Sequence, residues 1–192
     1  MKSEIRNNIF NLPEGSVINS SSVESPGIVI GDQVWAKKNV DVDIAGSRVY
    51  DDNEANRDIY GGLYSWNMIS EIEALYPGWH VPTKAEFETL SAYLGGLSVA
   101  GGKLKEAGLS HWNAPNAGAD NSSGFTALGA GHYNPYFTSY FELLEDVYYW
   151  SVTESISSPS AYYAMELEHT SEIVTITDEV DVFFFSIRLI KD

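Results

Sequence analysis

Two periodicities divide this chain, and their order constrains the fold more than anything else in it. Between Leu63 and Leu94 apolar residues recur at helical spacing. Beyond Gly131 they come instead as short runs rich in aromatic and β-branched residues: DVYYWSVT, SAYYAMELEH and EIVTITDEVDVFFFSIRLI. A chain that puts its helical signals first and its strand signals last cannot alternate strand with helix. Parallel-sheet dinucleotide and P-loop folds are therefore not expected, and an α+β arrangement is.

The local signals fill in this outline. Ile28, Val29 and Ile30, then Val34 and Trp35, flank Gly31-Asp32 and predict a hairpin. AGSRVYDDNEANRDIYGG is polar and turn-rich, hence a loop. Leu63, Trp66, Ile69, Ile72 and Leu75 predict a first helix. Thr83 as N-cap, Glu86 at the capping-box position, Phe87, Leu90 and Leu94 on one face, and Gly95-Gly96 as the stop predict a second. From Gly101 to Gly131 the chain is rich in Gly, Asn and Ser and reads as irregular. In the last strand, Phe183, Phe185, Ile187 and Leu189 should point one way, and Phe184, Ser186, Arg188 and Ile190 the other. Residues 1–27 are polar, with a serine run at Ser20–Ser22 and a closing Ser-Pro-Gly. They read as an N-terminal arm or anchor, able to oligomerise, ahead of a domain over residues 28–192.

Composition excludes several classes of function. With no cysteine among 192 residues there is no thiol catalysis, no thiolate metal site and no disulfide. The net charge is −16, and no lysine or arginine occurs between Lys105 and Arg188, so nucleic acid is not an expected partner. No apolar run is long enough to insert in a membrane, and the N-terminus has no apolar stretch of signal-peptide type. The expectation is synthesis in the cytoplasm without Sec export.

Six separated stretches carry a family likeness: GDQVWAKKNV (31–40), YGGLYSWN (60–67), PGWHVPTKAEFETL (77–90), GGKLKEAGLSHWNAPNAGADNSSGFTALGAG (101–131), YYWSVTES (148–155) and FSIRLIKD (185–192). In order and in content they resemble the Fibrobacter succinogenes major paralogous (FISUMP) domain. The resemblance implies a fold like that of C-type lectins and formylglycine-generating enzymes: a small twisted antiparallel sheet, two helices, long glycine-rich loops, and N- and C-terminal strands that pair. Members are mostly secreted or cell-surface proteins of Bacteroidetes-type bacteria. Many relatives carry cysteines where this chain has Tyr76 and Leu189, and a glycine where it has Phe184. A chain without that cysteine pair and without an export signal fits a protein folded in a reducing cytoplasm and released by lysis, such as a bacteriophage structural protein, with an ordinary intracellular protein or a chain lacking its leader as the alternatives. The expected location is a virion or cell surface reached without a Sec signal.

The lectin-like fold is also one that diversity-generating retroelements use to display hypervariable residues near a gene's 3′ end. Aromatic residues crowd the C-terminal part of this chain, and Trp112, Phe125, Trp150 and Phe185 fall inside family motifs as core. The remainder point to a contact surface, with tyrosine and phenylalanine as rigid anchors and small polar residues as adaptable partners. The candidate ligand-binding residues are Tyr133, Asn134, Tyr136, Phe137, Ser139 and Tyr140 in the 132–141 loop, His169 and Ser171 in the 166–172 turn, and Asp181, Phe183 and Phe184. The expected partner is a host surface protein or a glycan. The alternative is a decoration or assembly protein whose aromatic face is buried against a neighbouring subunit.

No catalytic residue, metal or cofactor is assigned. Asn113, Asn116, Asp120 and Asn121 offer oxygens for calcium, but neither sugar-binding lectin motif is present and carboxylates are sparse there. His80 reads as structural, and Ser151, Thr153 and Glu154 have no histidine at a spacing that would activate a nucleophile. The copper-dependent chemistry of formylglycine-generating enzymes needs cysteines this chain lacks.

Overall fold

The computed structural model of the protein describes residues 27–192. The arm expected over residues 1–27 therefore lies outside the described residues, Gly27 apart. The domain opens with the expected hairpin, β1 (Ile28–Ile30) and β2 (Gln33–Trp35), paired from Ile28↔Trp35 to Ile30↔Gln33 around Gly31 at φ 63°. There follow α1 (Ala55–Tyr60), β3 (Tyr64–Ser65), α2 (Ile69–Leu75), β4 (Trp79–His80), α3 (Lys84–Tyr93) and α4 (Leu97–Leu104). The strands β5 (Ala130–Asn134), β6 (Ser139–Leu143), β7 (Asp146–Glu154), β8 (Ala161–Glu168), β9 (Val174–Val180), β10 (Phe184–Phe185) and β11 (Ile190–Lys191) complete an α+β fold.

Three of the four helices depart from expectation. α1 forms in the stretch expected to be a loop, because two polar-looking positions turn inward: Tyr60 enters the core, and Arg57 is buried with its guanidinium on Glu54, at 2.8 Å, and on Asp43. α4 follows Gly95-Gly96, which ends α3 but only breaks the helical path, Gly96 taking φ 101° as the N-cap of the next helix. Its interior glycines are required by close approach. A methyl group on Gly101 would sit 2.7 Å from the carbonyl oxygen of Ile173, and one on Gly102 would collide with Gly118. The first expected helix is also shorter than its pattern, since Tyr64 is drawn into a strand and the helix starts at Ile69. α3 carries the full capping box, the Glu86 amide donating to Thr83 Oγ1 at 3.2 Å and the Thr83 amide to Glu86 Oε2 at 2.7 Å.

The strands form two sheets, β1-β2-β11-β4 and β3-β10-β5-β7-β8-β9, with β6 paired to β5. The terminal strands meet in the first sheet through Ile190↔Trp35. Between β10 and β11 the chain runs along the boundary of two cores. Phe185, Ile187 and Leu189 join Tyr64, Ile72, Val81 and Trp150, whereas Ile190 joins Trp35, Phe87, Trp112 and Phe125. Tyr76 and Leu189 are both buried in the first of these cores.

Arg188 points to the other side and is wholly buried. Its Nε donates to Asn39 Oδ1 at 2.9 Å, its Nη1 to the carbonyls of Ala36 and Phe125 at 3.1 and 2.7 Å, and its guanidinium lies 4.3 Å from the centre of the Phe125 ring. Four acceptor and π contacts thus compensate a charge that has no carboxylate partner among the described residues.

Candidate functional site

β5 and β6 form a hairpin whose tip, residues 135–138, extends beyond the sheet. Asn134 Oδ1 accepts from the Tyr136 amide at 3.0 Å and fixes the start of the turn. Thr138 closes it at φ 48°. Tyr136 and Phe137 cap this turn at 69% and 71% exposure, above Tyr93 at 67%.

From the tip, ring contacts continue into the sheet. Phe137 meets Phe141 at 6.0 Å between centroids, and Tyr136 meets Phe183 at 6.0 Å. Both paths converge on His132, whose ring lies within 5.3 to 6.2 Å of Phe141, Tyr148, Phe183 and Phe185. Period-2 alternation explains this convergence. His132 stands opposite Phe141, and Tyr148 opposite Glu166, on one face of the paired strands.

The same face carries carboxylates. Tyr148 Oη donates to Glu166 Oε1 at 2.7 Å, and His132 Nδ1 lies 3.1 Å from Glu142 Oε2, too poorly aligned for either atom to count as hydrogen-bonded. Glu142 reaches His132 because Gly131 and Glu142, which face each other across the hairpin, both have left-handed backbones, φ 62° and 65°. Burial, and then repulsion from Glu142, Glu166 and Glu168, push the Asp146 carboxyl up to about 8. Burial likewise raises Glu166, against the hydrogen bond from Tyr148, and raises Glu179. Glu142 moves down, through its contact with His132. Burial and the bond to Glu166 hold the Tyr148 phenol protonated far above its ordinary range. The result is a half-buried surface of aromatic rings and excess negative charge.

The expected site residues divide between this surface and elsewhere. Asn134, Tyr136, Phe137, Ser139 and Phe183 belong to the tip and its approach. Tyr133 is packed instead of open: it is only 6% exposed, because its ring lies under the Arg48 guanidinium at 3.9 Å and edge-on to Phe184 at 5.5 Å. Phe184 is paired to Ser65 and Tyr133 on that packed side, and Tyr140 lies on Tyr50 and donates its hydroxyl to Asp52. These three residues hold the hairpin onto the 48–52 turn.

His169 and Ser171 are not brought to the tip. The pairs Asp146↔Glu168 and Gly131↔Val147 place their turn beside the start of β5, at the opposite end from residues 135–138. There the His169 amide donates to the Glu145 carbonyl at 2.7 Å, and buried Lys105 donates from Nζ to the carbonyls of Glu168 and Ser171, both at 2.7 Å. Asp181 lies at the turn into Phe183, its carbonyl accepting from the Trp66 amide. His132, Tyr148, Glu166 and Glu179 were not singled out from the sequence. The legible signal was the alternation of aromatic and acidic residues in β7 and β8.

The other candidates have structural partners. Asn116 Nδ2 donates to the carbonyls of Glu106 and Gly108, Asn121 to Thr126, and Asn113 to Glu145, so these side chains brace their own loops. Asp120 accepts from the Ser122 amide. No group of three or more metal-ligating side chains occurs among the described residues. His80 bridges Glu86 at 2.9 Å and Asp192 at 2.7 Å. In the WSVTES stretch, Ser151 Oγ accepts from the Thr153 amide and Thr153 Oγ1 from the Lys84 amide, which secures the start of α3.

A family model described as the Fibrobacter succinogenes major domain matches residues 28–191. Comparison with curated proteins and with solved structures returned no match.

Proposed function

The chain belongs to the Fibrobacter succinogenes major domain family, and on that premise we propose that it is a non-enzymatic ligand-binding module whose contact surface is the β5–β6 tip with its aromatic approach. The observation that carries this reading is the exposure of Tyr136 and Phe137 side by side at the end of a continuous path of rings leading to Phe183 and His132. Two neighbouring large aromatics left in water lose free energy that contact with a partner restores. The rigid hairpin beneath them limits the entropy lost on binding.

The setting follows the same proposal: display on a virion or cell surface, with residues 1–27 as anchor, a C-type-lectin-like scaffold, and a host surface protein or glycan as target. Several displayed copies would raise weak single contacts to useful avidity. Diversification by a retroelement remains part of it and is tested by sequencing sister isolates. Substitutions concentrated in residues 134–139 and 181–183 support it, and an even spread over the gene counts against it.

The direct test is a Tyr136→Ser, Phe137→Ser double variant in an attachment assay on host cells. Loss of attachment of at least tenfold with an unchanged melting curve supports the reading. Unchanged attachment removes the tip from it.

A further inference from the structure

We propose that the partner's contact segment on this face is a basic polypeptide, bound through lysine or arginine side chains between the aromatic rings and the carboxylates of β6 to β9; the inference rests on the tip being the binding surface. Three observations carry it. The first is charge. Asp146, Glu166, Glu168 and Glu179 come from the neighbouring strands β7, β8 and β9 and Glu142 from β6, which pairs with β5, and none of these strands contains lysine or arginine, since none occurs between Lys105 and Arg188. Register sets Glu166 opposite Tyr148, Glu168 opposite Asp146 and Glu179 opposite Tyr162. The single basic group on the face is His132, which is engaged with Glu142.

The second is the chemistry of the surroundings. Tyr148 stacks on Phe185 at 4.7 Å, and its hydroxyl reaches Glu166, so a ring and a carboxylate are joined at one place. A guanidinium or ammonium group is the ligand that gains from both at once, through the negative ring face and the carboxylate oxygens. A neutral sugar could use the rings but would leave the half-buried charges uncompensated.

The third is unfinished hydrogen bonding. His132 Nδ1 and Glu142 Oε2 are shielded from solvent and lie 3.1 Å apart without the alignment of a hydrogen bond, and burial raises the carboxyls of Asp146, Glu166 and Glu179. A bound cation favours the charged form of each of these acids and offsets part of the electrostatic free energy that assembling them cost.

The test uses the full chain and fluorescent octa-arginine, with neutral dextran as the comparison ligand. Saturable octa-arginine binding that falls as salt rises, with no dextran binding, is expected. Glu166→Gln with Glu179→Gln should weaken it at least tenfold. Glu71→Gln with Glu88→Gln, which removes equal charge from the helices, should change it less than twofold. Equal loss in both pairs overturns the proposal in favour of diffuse attraction to an acidic protein. Glu166→Gln alone, which keeps an acceptor for Tyr148, serves if the double variant does not fold.

The tip variant Tyr136→Ser, Phe137→Ser separates the two readings. If it abolishes attachment to host cells while the carboxylate pair leaves both attachment and octa-arginine binding unchanged, the surface stands and its cationic partner is refuted. If neither changes attachment, the surface itself is refuted.

Discussion

The rings of Phe183 and Phe185 lie 5.7 Å apart and within 5° of parallel, while Phe184 between them turns to the opposite side against Tyr133. Three identical neighbours thus have three surroundings: Phe185 in the core, Phe183 covering it beside His132, and Phe184 locking the hairpin onto Arg48. Since an alternating backbone offers its faces in turn, the outer two share a cluster and the middle one cannot.

Phe185→Ala should therefore cost about 3–5 kcal/mol, the range for emptying a buried phenylalanine site, whereas half-buried Phe183→Ala should cost roughly half of that. Urea unfolding of the two variants checks the order. Equal losses would show that Phe183 is as deeply committed to the core as Phe185.

Arg188 should not tolerate lysine. An ammonium cannot serve Asn39 Oδ1 and the carbonyls of Ala36 and Phe125 with the fixed fork of a guanidinium, so Arg188→Lys leaves buried acceptors unsatisfied. A loss of about 3 kcal/mol or more is expected in urea unfolding, and a loss below about 1 kcal/mol would contradict the account.

Stability should fall as pH rises from mildly acidic to mildly alkaline, through two groups. For His80, burial disfavours the charge, but the bonds to Asp192 and Glu86 outweigh it and raise the folded pKa above 6.5. Its contribution is full below the unfolded value and is lost as pH climbs through the raised one. Asp146 keeps its proton up to about 8 in the folded chain against 3.8 as the ordinary value, so the folded state binds the extra proton between these limits and loses stability across them as pH rises. Melting temperatures at pH 5, 6.5 and 8 should decline less in His80→Gln, and Asp146→Asn should melt above the parent at pH 8. A decline left unchanged by both variants would remove these groups as its cause.

Gly102→Ala should destabilise by about 1–3 kcal/mol despite the better helix propensity of alanine, because its methyl group meets the Gly118 backbone. Gly78→Ala, where open space surrounds the position, isolates the separate cost of a positive φ, here 84°. A neutral Gly102→Ala would mean that α4 can shift away from the loop.

Much of the fold was legible where the signal is local. The α+β order follows from the change in periodicity, the β1–β2 hairpin from Gly31-Asp32, and the start of α3 from Thr83 and Glu86, each decided by residues within a few positions of one another. The split of Phe183, Phe185, Ile187 and Leu189 from Arg188 and Ile190 was likewise fixed by alternation alone. What the sequence could not decide is which face a distant segment covers. Tyr133 and Tyr136 are three residues apart and read alike, yet Arg48 and Phe184 close over the first and nothing among the described residues covers the second to the same degree. Glu142 joins the carboxylates of β7, β8 and β9 only because β5 pairs with both β6 and β7, and α4 could form only because its glycines admit the backbones of residues 118 and 173. Propensity and capping act along the chain. Burial and charge clustering act between segments far apart in it, so tertiary pairing alone turned a run of tyrosines and acids into a packed side and an open one.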